Sequence, residues 1–291
     1  MTQHRYLQLD VFADRTGAGN PLGVVFDADG LDSGTMQAYA AWANLSETIF
    51  FLAPIAEDAD YRVRIFTPRQ ELPFAGHPSV GAAWAALDAG LVDGSRQTLV
   101  QECEAGLLPV RVESRGGQRL THVRTPRASC VARSRDFEAG VDAATAGLAR
   151  GALAPALWNN GPSWWLVALA SEAAVRGMDP DLAAIAALTA ASEAVGLAVF
   201  ARCDTGPYDI VIRAFCPADG IPEDPVTGSA NACVAAMLHA ANQLPGGTGR
   251  YLASQGREMG RDGRIEVEVD AHGEVWIGGQ VQAVIRGRVD W

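Results

Sequence analysis

The feature that most constrains the fold of this chain is a duplicated strand–turn–helix unit. Arg64-Ile65-Phe66-Thr67-Pro68 leads to Pro73-Phe74-Ala75-Gly76-His77-Pro78 and then an Ala-rich apolar run to Leu87. A shift of 149 positions, taken without a gap, brings Arg213-Ala214-Phe215-Cys216-Pro217, then Pro222-Glu223-Asp224-Pro225-Val226-Thr227-Gly228-Ser229 and another Ala-rich run to Leu238. Each copy delivers a helix N-terminus, where backbone N–H groups lack intrahelical partners and the dipole is positive. Two such termini facing one cleft suit an anionic ligand.

At 291 residues the length matches two domains, at ~150 residues each. The expected boundaries are 1–127 and 128–291, with the last strand free to return to the first domain. Alternating patterns predict strands at Tyr6–Phe12, Leu22–Phe26, Ile49–Leu52 and Tyr61–Phe66. A helix is expected from an Ser33 cap to about Ala43, and another from Pro78, whose missing N–H costs nothing in a first turn. The second half repeats this order and closes with strands at Val275–Ile277 and Gln280–Val289. The fold class is α+β: two similar halves, each a mostly antiparallel sheet wrapped on an apolar helix.

Composition removes several functions. Net charge is −11, which disfavours nucleic acid or an anionic membrane as partner. No apolar run approaches the ~20 residues of a spanning helix, and a cytoplasmic location is expected. All 23 basic residues are arginine, so a lysine aldimine and a P-loop are excluded. The five cysteines form no Cys-x-x-Cys pair and the five histidines stand singly, so no metal site is expected. Thr16–Pro21 falls short of a dinucleotide fingerprint, because Leu22 stands where the third glycine belongs.

Four side chains sit where local folding does not require them. Glu47 precedes an apolar strand, His77 opens a helix, Asp224 stands beside Pro225 before a helix, and Ser229 follows Thr227-Gly228. Singly, each has a plain structural reading: a solvated loop carboxylate, a backbone-satisfied turn histidine, and two helix caps. Their occurrence around a turn that is present twice favours chemistry.

Asn44-Leu45-Ser46-Glu47, Glu71-Leu72-Pro73-Phe74-Ala75-Gly76-His77-Pro78 and Glu223-Asp224-Pro225-Val226-Thr227-Gly228-Ser229-Ala230 closely resemble the signature segments of the phenazine-biosynthesis PhzF-like family. Tyr6 through Asn20-Pro21 and Gln255–Arg261 are similar to that family as well. The resemblance implies the diaminopimelate-epimerase fold, with two pseudo-symmetric barrel-like domains, each around a central helix, and an active site between them. It implies cofactor-independent isomerisation of a small carboxylate-bearing substrate, with trans-2,3-dihydro-3-hydroxyanthranilate the best single choice, and a homodimer.

On this resemblance Glu47 is the acid–base group, and His77, Asp224 and Ser229 are its supporting catalytic residues. Asn20, Ser46, Gly76, Gly228 and Ser229 contact substrate. A carboxyl that both takes and returns a proton needs a pKa above the ordinary glutamate value of ~4.3. The wider superfamily contains racemases using two cysteines; the matching positions here are expected at Ala75 and Asp224, so two-thiol chemistry is disfavoured. An amino-acid epimerase of the same fold and a non-catalytic metabolite-binding protein are the alternatives.

Overall fold

The computed structural model describes residues 2–291. The chain divides into two compact units, one of Met1–Arg124 with Ile277–Trp291 and one of Thr125–Trp276. No helix among the described residues is long and apolar enough to cross a membrane.

The first unit contains β1 (Gln3–Val11), β2 (Asn20–Val25), α1 (Ser33–Ala43), β3 (Glu47–Leu52), β4 (Tyr61–Phe66), the short β5 (Glu71–Leu72), α2 (Gly76–Asp88), β6 (Thr98–Cys103), β7 (Gly106–Arg115) and β8 (Gln118–Arg124). The chain's last strand, Val275–Asp290, is β17 once the second unit's strands are counted, and its residues from Ile277 belong here. Eight of these strands close into a barrel. Antiparallel ladders join β17 to β1, β1 to β2, β3 to β4, β6 to β7 and β7 to β8. Parallel ladders join β2 to β3 and β4 to β6, and β8 pairs with β17 to complete the ring.

Closure leaves no exposed sheet edge, and α2 fills the barrel. All of α2 is buried except Trp84 and Asp88. Its small residues let strands approach closely: a Cβ on Gly81 would meet Leu22 Cδ2 at 2.4 Å. The outer face of β2, β3 and β4 presents Val25, Phe50 and Phe66 to Met36, Tyr39 and Ala40 of α1. The side-chain alternation of a strand supplies both faces.

The second unit contains β9 (Ser129–Arg133), α3 (Glu138–Ala144), β10 (Ala156–Asn159), β11 (Ser163–Ala168), α4 (Glu172–Arg176), α5 (Leu182–Ala191), β12 (Gly196–Arg202), β13 (Ile210–Cys216), β14 (Ile221–Asp224), α6 (Gly228–Ala240), β15 (Arg250–Gln255) and β16 (Gly263–Val269). Its ladders repeat the order of the first unit. Antiparallel pairs β9–β10 and β10–β11 are followed by parallel β11–β12, antiparallel β12–β13, parallel β13–β15 and antiparallel β15–β16. α6 occupies the place of α2. Trp165, Val167, Leu197, Val199 and Phe215 face Val141, Ile185 and Leu188 of α3 and α5.

The fold class is as the sequence implies, and several local expectations are corrected. Asp32, not Ser33, caps α1, accepting from Thr35 N at 2.7 Å. The closing segment is one strand of 16 residues rather than two. The repeat is also not gap-free. The 149-residue shift holds for Arg64/Arg213 and Phe66/Phe215, but α2 and α6, thirteen residues each, start at Gly76 and Gly228, a shift of 152. A three-residue 3₁₀ turn, Pro217–Asp219, closed by Gly220 at φ 79°, is the extra segment. Glu71 therefore matches Glu223, Pro73 matches Pro225, Ala75 matches Thr227, and His77 matches Ser229.

Candidate active site

In each unit an arginine on the fourth strand of the repeat clamps the turn that leads into the central helix. Arg64 holds Glu71 through Nε and Nη2 at 2.6 and 2.5 Å, and Arg213 holds Glu223 in the same two-pronged way at 2.9 and 2.8 Å. Such planar pairs fix orientation as well as distance. The helix N-termini they position carry no side-chain cap at Ala75 or Thr227. Pro78 takes one further N–H out of the first turn of α2.

Glu47 and His77 come together in the first unit. Asn44 ends α1 in the left-handed conformation, with its N–H returned to the Ala40 carbonyl. Leu45 and Ser46 then carry the chain to Glu47, which opens β3 opposite Leu22 of β2. His77 Nε2 lies 3.3 Å from Glu47 Oε2, with the imidazole buried and the carboxylate partly exposed. Burial pushes the His77 pKa down to about 3, against an opposing hydrogen bond with the Pro21 carbonyl. The contact is thus between a neutral imidazole and a carboxyl group, not a salt bridge. Nε2 makes no hydrogen bond of its own, so the Pro21 bond falls to Nδ1–H. A neutral ring protonated there turns the lone pair of Nε2 toward Glu47. Asn20, fully buried, begins β2 next to Pro21, and Gly76 is buried at the start of α2.

Asp224, Gly228 and Ser229 lie around the N-terminus of α6 in the second unit. Thr227 Oγ1 donates to Asp224 Oδ2 at 2.5 Å, so its hydroxyl serves the aspartate rather than the helix. Beneath this turn is a buried amide network absent from the sequence reading. Gln255 Oε1 accepts from Thr227 N at 2.9 Å and Asn231 Nδ2 at 3.1 Å, while Gln255 Nε2 donates to the Asp224 carbonyl at 3.0 Å and Thr227 Oγ1 at 2.8 Å. Gln255 and Asn231 are fully buried. Ser229 is half-buried, accepts from Trp164 Nε1 at 3.0 Å, and gives its carbonyl to Asn160 Nδ2 at 3.1 Å.

Thr227 and Gln255 stood inside segments already singled out; Trp164, in a Trp-Trp strand, reads from sequence as core packing, and Asn231 and Asn160 carried no signal, since their partners lie far along the chain. A hollow of about 690 Å³ in this unit, lined by Arg176, Phe200, Leu238 and Gln243, is at the C-terminal end of α6, away from these groups. Among the described residues no group of three or more His, Cys, Asp or Glu side chains is arranged to hold a metal.

The structural register also corrects the second expected thiol position. Thr227, not Asp224, stands opposite Ala75 in the repeat, and neither is cysteine.

A closed barrel around a buried helix, followed by a second unit with the same order of ladders, defines a protein of the diaminopimelate-epimerase-like fold. The chain belongs to the phenazine biosynthesis-like (PhzC-PhzF) family, which matches residues 9–287, and it is an isomerase of that family. It is 35% identical to a trans-2,3-dihydro-3-hydroxyanthranilate isomerase from Pseudomonas aeruginosa over 290 residues, covering 98% of this chain and 99% of the relative. It is 31% identical over 299 residues to antisense-enhancing sequence 1 from Schizosaccharomyces pombe, covering 99% of each. The crystal structure of a PhzF-family phenazine biosynthesis protein from Bacillus anthracis superposes with a TM-score of 0.81 at 24% identity, covering 100% of both chains. That last likeness concerns the fold.

Proposed function

We propose that this isomerase moves a proton between two carbons of a small, cyclic, carboxylate-bearing metabolite, with trans-2,3-dihydro-3-hydroxyanthranilate as substrate and Glu47 as both base and acid. The observation that carries the reading is the contact of Glu47 with a buried, neutral His77. As a carboxylate, Glu47 accepts a proton from substrate carbon: a C–H bond breaks, an O–H bond forms, and the electron pair shifts into the conjugated system. As a carboxylic acid it faces the Nε2 lone pair, which gives the neutral form a hydrogen-bond partner until the proton passes to the second carbon. Nothing is oxidised or reduced, so the step balances without a cofactor. A positioned acid–base group contributes on the order of 10²–10⁴ in rate.

In this reading Asp224 and Ser229 are supporting polar groups, the N–H groups of Gly76 and Gly228 take the substrate carboxylate, and Asn20 and Ser46 complete the substrate-binding residues. Amino-acid epimerisation by two thiols has no support at Ala75 and Thr227. A cytoplasmic homodimer belongs to the same proposal. The test is proton NMR of the dihydro acid in deuterium oxide with wild type and Glu47→Gln. Consumption by wild type alone, with the variant still binding ligand, is the expected result. Full activity in Glu47→Gln would overturn the mechanism, and an inert wild type would remove this substrate.

A further inference from the structure

The two units differ sharply where the first carries its acid–base group. In the parallel ladders, Leu22 stands opposite Glu47 and Trp164 stands opposite Gly196, so Gly196 is the counterpart of Glu47. No side chain fits there: a Cβ on Gly196 would meet Trp164 Cζ3 and the Phe215 carbonyl oxygen at 2.5 Å each. The indole of Trp164 fills the space that the first unit gives to a carboxylate. Its Nε1 reaches Ser229 Oγ at 3.0 Å, and Ser229 is the counterpart of His77. The carboxyl–imidazole pair of one unit is thus an indole–hydroxyl pair in the other.

We propose that Trp164 is a positioning residue that makes Ser229 a hydrogen-bond donor to substrate, an inference resting on the substrate-binding role given to Ser229 above. An indole N–H only donates. By occupying a lone pair of Ser229 Oγ it turns the serine's own proton away from the protein interior. Trp164 is buried in β11 and Asn160, also buried, holds the Ser229 carbonyl, so Ser229 is held at side chain and backbone while the residue stays partly exposed. The atom this donor suits is an acceptor oxygen of the substrate, a carboxylate or hydroxyl oxygen.

Trp164→Phe keeps an aromatic ring but removes the N–H together with part of the indole that packs on Gly196, so the Ser229→Ala background is the control for lost packing. With the dihydro acid, Trp164→Phe is expected to raise KM about fivefold, the size of one neutral hydrogen bond, with a smaller change in kcat. In a Ser229→Ala background the same substitution should add nothing, because its target is gone. Unchanged KM in the single variant, or effects that multiply in the double variant, overturn the proposal, since a packing role alone would act in both backgrounds. If Trp164→Phe does not fold, the indole ¹⁵N–H resonance of Trp164, assigned by its displacement in Ser229→Ala, is followed as 3-hydroxyanthranilate is added. Movement supports the coupling, and an unmoved signal at saturation overturns it. A wild type that neither turns over the dihydro acid nor binds the probe sinks the proposed function and this inference together, whereas an active wild type without coupling sinks this inference alone.

Discussion

The buried, neutral His77 makes a quantitative demand on stability. Its pKa is about 3 in the folded protein, lowered by burial, and near 6.5 in an unfolded chain. The unfolded state therefore binds a proton as pH falls below about 6.5 while the folded state does not. Folding stability must fall across that window, by about 1.4 kcal/mol per pH unit once well below the unfolded value, and the loss ends only near the folded pKa. Between neutral pH and pH ~5 the His77 share amounts to ~2 kcal/mol, and the whole window is worth about 5 kcal/mol. His77→Gln keeps a polar side chain of similar reach and cannot titrate. Urea unfolding of wild type and variant at both pH values isolates the share, because the other histidines are common to both. The gap between the two stabilities should narrow by ~2 kcal/mol on acidification, with wild type the steeper. Parallel profiles would show that His77 is as easily protonated folded as unfolded, and the neutral-imidazole reading of the Glu47 contact would fail with them.

Two further expectations concern the second unit. Gln255→Leu removes the buried partner of the Thr227 N–H and of one Asn231 amide hydrogen, together with the donor to the Asp224 carbonyl; a loss of about 2–4 kcal/mol in urea unfolding is expected, and a loss below ~1 kcal/mol would mean that water replaces the network. Gly196→Ala places a Cβ 2.5 Å from the Phe215 carbonyl oxygen, a backbone atom that cannot swing aside, so thermal unfolding should report destabilisation of roughly 2–3 kcal/mol; a neutral result would refute the close approach of β12 to Trp164.

Much of the frame was legible because it depends on local pattern. The Ala-rich, apolar runs of α2 and α6 announced helices that need cover on most sides, and the paired Arg, Phe and Pro residues announced the repeat. What stayed hidden depends on partners distant in sequence. β8 buries four consecutive residues rather than alternating, so no strand period is legible there, and nothing local shows that it meets β17 and closes the ring. Gln255 reads as a polar residue at a strand end, and only folding brings it under Thr227, 28 positions away. The helix Glu172–Arg176, five residues long, is too short to show a period. The three-residue turn at Pro217–Asp219 escaped notice because prolines crowd both copies of the motif and allow a false register.

That turn explains how the repeat can differ without losing its frame. The extra residues lie between β13 and β14, and the chain folds them into a single 3₁₀ turn ended by Gly220 in the left-handed region, where glycine pays no Cβ penalty. Because the detour closes on itself, Glu223 still meets Arg213 as Glu71 meets Arg64, and the helix that follows starts at the equivalent place. The arginine clamp thus carries the geometry, while neighbouring positions are left to carry the chemistry. At one pair of equivalent sites stand Glu47 and Gly196; at another stand His77 and Ser229. Different side-chain pairs at equivalent places follow from these exchanges and from Trp164, with the order of the ladders unchanged. The physical consequence is that the duplicated frame need not carry duplicated side chains: the same clamp and the same ladders hold a carboxyl–imidazole contact in one unit and an indole–hydroxyl hydrogen bond in the other.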